Sequence, residues 1–226
     1  MPYNRCVDFL SRIDHTLLKI DANTRMGDFR AGARLVLESN LRAFVVPPNL
    51  VKQIAQEFPD LRVATVASYP LGCDTTDVKA ASVRRAADDG AREVDIVLNL
   101  ASLVAGSDEF LAEASELCEI AGEAGVAAKL IIETPILSAE RIREVCSALK
   151  PLKFLALKTS TGYGREPTSV EDVRMLRECL GGSHKLKASG GIGSLKQARE
   201  FADAGADILG MSRTAAIIAE LQAEWY

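Results

Sequence analysis

Histidine is scarce in this 226-residue chain: only His15 and His184 occur. A three-histidine zinc site is therefore excluded, and no Cys/His cluster stands in for it. Five cysteines are present (Cys6, Cys73, Cys118, Cys146 and Cys179). They are odd in number, scattered, and contain no C-x-x-C, as expected of reduced thiols in a cytoplasmic protein. An excess of basic charge is also lacking. The chain has 27 Lys and Arg against 31 Asp and Glu, a net charge of −4. That argues against a nucleic-acid binder, which needs a basic face. No uncharged apolar run approaches the ~18 residues of a membrane span. The opening MPYNRCVDFLSRIDH has no uncharged hydrophobic segment of the kind a signal peptide carries. No Pro/Gly/Ser-rich linker divides the sequence, so a single domain over 1–226 is expected.

What is present is an alternation. Short apolar, β-branched runs occupy Ile13–Thr16, Ala43–Pro47, Arg62–Ser68, Glu93–Asn99, Ala127–Thr134, Phe154–Ser160, Lys185–Ser189 and Asp207–Ser212. Between them lie amphipathic stretches with helical spacing, such as Leu195, Ala198, Phe201 and Ala202. Gly90, Gly125 and Gly205 each fall just ahead of a run, as helix stops do. Eight β/α units fit either an open doubly wound sheet or a closed (β/α)8 TIM barrel. The placement of charge favours the barrel. Asp14, Asp95, Lys129, Lys158, Lys185 and Lys187 lie within the strand runs. Inward residues of a barrel share one pocket, whereas an open sheet must bury them under helices at heavy cost. Residues 1–11 are expected to form a short N-terminal helix closing the barrel floor.

Three runs carry chemistry. In Phe154-Leu-Ala-Leu-Lys158-Thr-Ser-Thr161-Gly162 a lysine ends an apolar strand. Burial beside other cations disfavours its ammonium form, and a neutral amine can attack a carbonyl to give a Schiff base. The competing reading is a lysine reaching to solvent from a strand end. Lys187, in Lys185-Leu-Lys187-Ala-Ser189-Gly190-Gly191, is expected to meet Lys158 if the sixth and seventh strands are neighbours; Lys185 is expected to be structural. In Glu93-Val-Asp95-Ile-Val97-Leu-Asn99, alternation puts Asp95, Val97 and Asn99 on one face. Asp95 needs a cationic partner and can shuttle protons to it.

Glycine turns after the seventh and eighth runs, Gly190-Gly191 and Gly210-Met-Ser212, fall where such barrels bind phosphate. Asp14 offers a pocket-facing polar group in the first run, and Glu133 ends the fifth at the same pocket rim. His15 is expected to be a hydrogen-bonded structural histidine.

Together these runs resemble the deoxyribose-phosphate aldolase family of Schiff-base aldolases. The resemblance extends from Asp14-His-Thr-Leu-Leu18 through Tyr69-Pro-Leu-Gly72, Gly90-Ala-Arg-Glu-Val-Asp95, Lys129-Leu-Ile-Ile-Glu-Thr134, Lys158-Thr-Ser-Thr-Gly162 and Lys187-Ala-Ser-Gly-Gly191 to Gly210-Met-Ser212. It implies Lys158 as the Schiff-base lysine, Asp95 as proton donor and acceptor, and Lys187 as its amine partner. It further implies a sugar phosphate and acetaldehyde as small-molecule partners, no metal, no cofactor, and a homodimer. Members usually carry an arginine after the Gly-Gly-Ile, where this chain has Gly193. Arg213 is the first candidate to replace that charge at the phosphate, with Arg165 second. Some members end in a tyrosine that enters the site, and Tyr226 is last here. The alternatives are a Schiff-base aldolase of other donor or acceptor, a barrel isomerase using Glu133 as base, and a sugar-phosphate-binding barrel without catalysis.

Overall fold

The computed structural model describes residues 8–224. Eight strands run in chain order around a closed parallel barrel: β1 (Ile13–Thr16), β2 (Ala43–Val45), β3 (Val63–Ala67), β4 (Glu93–Val97), β5 (Ala127–Ile131), β6 (Ala156–Lys158), β7 (Lys185–Ser189) and β8 (Ile208–Met211). Each lies within one of the eight apolar runs. The outer layer is built from α1 (Met26–Glu38), α2 (Val51–Glu57), α3 (Thr76–Asp88), α4 (Leu100–Ala105), α5 (Glu109–Glu123), α6 (Ala139–Leu149), α7 (Val170–Leu180), α8 (Leu195–Asp203) and α9 (Thr214–Ala223). Residues 8–10 are helical, and Phe9 and Leu10 pack against the core. The remainder of the expected N-terminal helix, with Cys6 and Tyr226, lies outside the described residues.

Local signals set the helix starts. Ser138, Ser169 and Ser194 cap α6, α7 and α8, each accepting a bond from the backbone N–H three residues on. This satisfies a donor the helix leaves open. Ser169 and Asp172 form a reciprocal capping box. His15 points outward from β1. Its Nδ1 lies 3.0 Å from the Thr214 hydroxyl, and its ring stacks on Phe44 at 5.2 Å. Burial holds it neutral, near pKa 4.

The main apolar core lies between the strands and the helices. Inside the barrel the two sides differ. Ala43, Val45, Ala64 and Val66 make an apolar wall from β2 and β3. The other side, from β4 round to β1, is ionic. Parallel register produces this, because paired residues point the same way. Asp95 pairs with Lys129, Ile131 with Lys158, Lys158 with Lys187, and Asp14 with Gly210.

Candidate active site

Lys158 ends β6 with only 4% of its surface exposed. Its Nζ donates to Asp95 Oδ2 at 2.7 Å. Lys187 Nζ reaches the same oxygen at 2.8 Å and Asp14 Oδ2 at 2.6 Å. Lys129 takes the other Asp95 oxygen at 2.7 Å and lies 2.6 Å from Glu93 Oε2. Below, Arg42 bridges Asp14 and Glu93. The cluster is almost wholly removed from water.

Its charges set the state of each member. Burial alone raises the Asp95 carboxyl, but Lys129, Lys158 and Lys187 outweigh it and hold the group well below the usual carboxylate range. Asp14 behaves likewise: burial raises it, and Lys187, Lys129 and Arg42 bring it to about 2. Lys129 is disfavoured by burial, yet Asp95, Asp14 and Glu93 keep it charged. Lys158 goes the other way. Burial dominates, Asp95 opposes it, and Lys187 reinforces it, so the ammonium is pushed down to about 8. Lys158 is thereby moved towards a free amine near neutrality.

Hydroxyls after Lys158 fix its position. Ser160 Oγ and Thr168 Oγ1 donate to the Ser189 carbonyl at 2.6 and 2.7 Å, and Ser189 N donates to Thr159 Oγ1 at 3.1 Å. Thr159 N donates to the Lys187 carbonyl at 3.0 Å. These bonds lash the ends of β6 and β7 together and hold the two lysines side by side. Glu133, with left-handed backbone (φ 53°), accepts from Thr161 N at 2.8 Å. It is a loop anchor, so the isomerase reading loses its base.

Above the cluster opens a cavity of about 140 Å3. Lys158, Thr161, Gly162, Ser189, Gly190, Gly191, Gly210 and Ser212 all line it. Gly210 is required by close approach: a Cβ there would stand 2.1 Å from Ser189 Oγ and 3.0 Å from Lys187 Cε. The Ser189 hydroxyl is buried without a partner, a group that calls for one. A larger concavity of about 860 Å3 lies against Phe154 and His184 and contains no member of the ionic cluster.

Two predicted residues sit elsewhere than expected. Asp14 does not line the cavity; its carboxylate is taken up by Lys187 and Arg42 beneath it. Arg213 is exposed at the N-cap of α9, and it too is absent from the cavity wall. Its guanidinium does lie beside Gly193, where a Cβ would stand 3.7 Å from Nη1. Glu220, a surface acid that could pair with an outward-facing Arg213, instead accepts from Leu195 N at 2.8 Å. Lys185 is exposed at the start of β7, and Asn99 caps α4, accepting from Ser102 N.

Arg42, Tyr69, Lys19 and Thr168 also belong to the site's surroundings, and no sequence pattern assigns them a role. Glu93 was legible: it shares the period-two face of Asp95. Tyr69 lines the cavity, donates to the Thr161 carbonyl, and presents its ring 5.9 Å from Lys158 Nζ. Lys19 also lines the cavity, 4.9 Å over the ring of Tyr163.

A closed parallel barrel with a buried, depressed lysine at a strand end, beside a carboxylate and a second lysine, defines a class able to form carbinolamines and Schiff bases. The profile of the DeoC/LacD family aldolases matches residues 9–151. Among similar proteins, the deoxyribose-phosphate aldolase of Thermococcus gammatolerans is 35% identical over 218 residues, covering 94% of this chain and 96% of that one. That of Natronomonas pharaonis is 36% identical over 210 residues, covering 93% of each. Among solved structures, the aldolase QR15 superposes with a TM-score of 0.87 at 31% identity, over 96% of this chain and 97% of the other. The chain belongs to the DeoC/LacD aldolase family.

Proposed function

We propose that this protein cleaves 2-deoxy-D-ribose 5-phosphate reversibly to D-glyceraldehyde 3-phosphate and acetaldehyde, through a Schiff base on Lys158. The observation that carries the assignment is the shared Asp95 oxygen, 2.7 Å from Lys158 Nζ and 2.8 Å from Lys187 Nζ. A nucleophilic amine thus has a proton relay already in contact. The neutral Lys158 amine attacks C1 of the open-chain sugar. Asp95 and Lys187 deliver the proton that lets the carbinolamine expel water. The resulting iminium draws the electron pair of the breaking C2–C3 bond as the 3-hydroxyl loses its proton. Glyceraldehyde 3-phosphate leaves. Protonation of the enamine and hydrolysis then release acetaldehyde and restore the amine.

The phosphate is held by the N–H groups of Gly190, Gly191 and the Gly210–Ser212 turn, with the hydroxyls of Ser189 and Ser212 and the Thr161–Gly162 turn completing the wall. Arg213, swinging in from beside Gly193, supplies a charge-assisted contact. Asp14 contributes from below by fixing Lys187. A cytoplasmic homodimer completes the reading; the related enzyme of Aeropyrum pernix is described as a tetramer. Sedimentation distinguishes the two assemblies.

The test is borohydride reduction in the presence of acetaldehyde, followed by peptide mapping. A two-carbon adduct on the Lys158 peptide, together with acetaldehyde release from 2-deoxyribose 5-phosphate, is the expected result. An adduct on Lys187 overturns the assignment of roles. Trapping with a panel of aldehydes, without cleavage of the deoxyribose ester, identifies a Schiff-base aldolase of another substrate.

A further inference from the structure

The ionic cluster does not end at the three lysines. Arg42 precedes β2 directly, and its side chain is only 7% exposed. It reaches across the barrel floor to Asp14 on β1 and Glu93 on β4. It does not line the cavity. A buried arginine of this kind must be explained, because taking a guanidinium out of water is expensive unless its partners repay it.

The count of charges gives the explanation. Among the described residues the buried cluster, leaving aside the half-exposed Arg62 at its rim, holds three carboxylates, Asp14, Glu93 and Asp95, and four cations, Arg42, Lys129, Lys158 and Lys187. One positive charge is surplus. Arginine cannot release its proton within a protein. Lys129 lies within 4 Å of all three carboxylates, and Lys187 of two. Lys158 has one carboxylate and shares that oxygen. The surplus is resolved where it is cheapest, at Lys158.

We propose that Arg42 is a positioning residue of the aldolase reaction: by occupying Asp14 and Glu93 from below, it leaves the cluster one carboxylate short and so frees the Lys158 amine. This rests on the reading of Lys158 as the Schiff-base lysine. The other groups that face the two residues leave this balance unchanged. Around Arg42 these are Lys129 from β5 and, at the rim, Arg62, 3.7 Å from Glu93 and half exposed. Around Lys158 they are Asp95, Lys187 and Lys129, with the Tyr69 ring above, whose phenol burial keeps neutral.

Without Arg42 the count becomes three and three, and the Lys158 ammonium is balanced. Arg42→Met is therefore expected to move the acidic limb of kcat/KM upward by roughly half to one pH unit, a three- to tenfold loss near pH 7. Arg42→Met combined with Glu93→Gln removes one charge of each sign, restores the surplus, and is expected to bring the limb back. Arg42→Lys is expected to keep it in place. A purely structural arginine would recover stability when its stranded partner is removed with it, but would not shift the acidic limb and then return it. Trapping with acetaldehyde and borohydride is run on every variant. An adduct on Lys158 with an unmoved limb in Arg42→Met overturns the role of Arg42, as does a limb that moves and does not return in the double variant. If Arg42→Met does not fold, the Glu93→Gln single variant decides: it widens the surplus and must move the limb down, and a limb that stays or rises overturns the proposal. An adduct on another lysine overturns the underlying reading, and this one with it.

Discussion

Two buried lysines in this barrel have the same side chain and opposite tasks. Lys79, on α3 outside the barrel, is fully buried. Its Nζ donates to the carbonyls of Gly72 and Val97 at 3.0 Å each and lies 2.7 Å from Glu113 Oε1. Three donors meet three acceptors, and one carboxylate serves one ammonium. The other Glu113 oxygen accepts from Asn99 N at 2.7 Å, so the pair clamps the loop after β3 to the end of β4. Lys158 is nearly as buried but shares its one carboxylate with two other lysines. Burial alone does not make a lysine reactive. The supply of counter-charge decides whether it is a rivet or a nucleophile.

The largest expected effect separates the two at once. Lys158→Met is expected to remove aldol cleavage by roughly 10^4-fold or more, because the covalent route is lost. Lys79→Met is expected to leave kcat of the folded protein within a few-fold. Steady-state assay of the two variants checks this, and comparable losses in both would erase the distinction. Stability is expected to change in opposite directions. Lys79→Met strands Glu113 and is expected to cost about 3–5 kcal/mol in denaturant unfolding. Lys158→Met is expected to stabilise by up to about 3 kcal/mol at neutral pH, the equivalent of the depression of Lys158 from its ordinary value to about 8. The sign follows from linkage. The folded state binds the Lys158 proton more weakly than the unfolded chain, so this penalty is complete below pH 8 and fades as pH rises towards 10.5. The stability gap between Lys158→Met and the unaltered protein should close over that window.

Smaller effects sharpen the comparison. Lys187→Leu removes a neighbouring cation and is expected to move the acidic limb of kcat/KM up by about one unit, with partial recovery in alkali. A uniform loss at every pH would make Lys187 chiefly a proton donor. Arg213→Ala is expected to lower kcat/KM by roughly tenfold on 2-deoxyribose 5-phosphate and to leave unphosphorylated 2-deoxyribose unchanged, the loss of one charged contact of about 1.5–3 kcal/mol. Equal effects on both sugars would exclude it as a phosphate ligand.

The sequence shows the barrel because each strand is a short β-branched run and each helix has a clear apolar spacing. The reacting lysines are legible for the same reason: a charge inside an apolar strand has few places to go. Arg42 is not legible, since it lies one residue outside its strand, where arginines are ordinarily solvated. Glu93 is visible only if the alternation through Asp95 is followed one step backward. Asp14 points into the barrel as expected, but its depth places it with the lysines rather than at the phosphate. Tyr69 and Lys19 come from loops, whose paths no periodicity predicts.

The central claim is that burial, with too little counter-charge to offset it, frees Lys158 near neutrality. The most direct measurement is an NMR titration of 13Cε-labelled lysines, with the Lys158 resonance assigned by its absence in Lys158→Met. The account predicts a midpoint of about 8 for Lys158. A Lys158 midpoint at or above the ordinary lysine value of about 10.4 would contradict it.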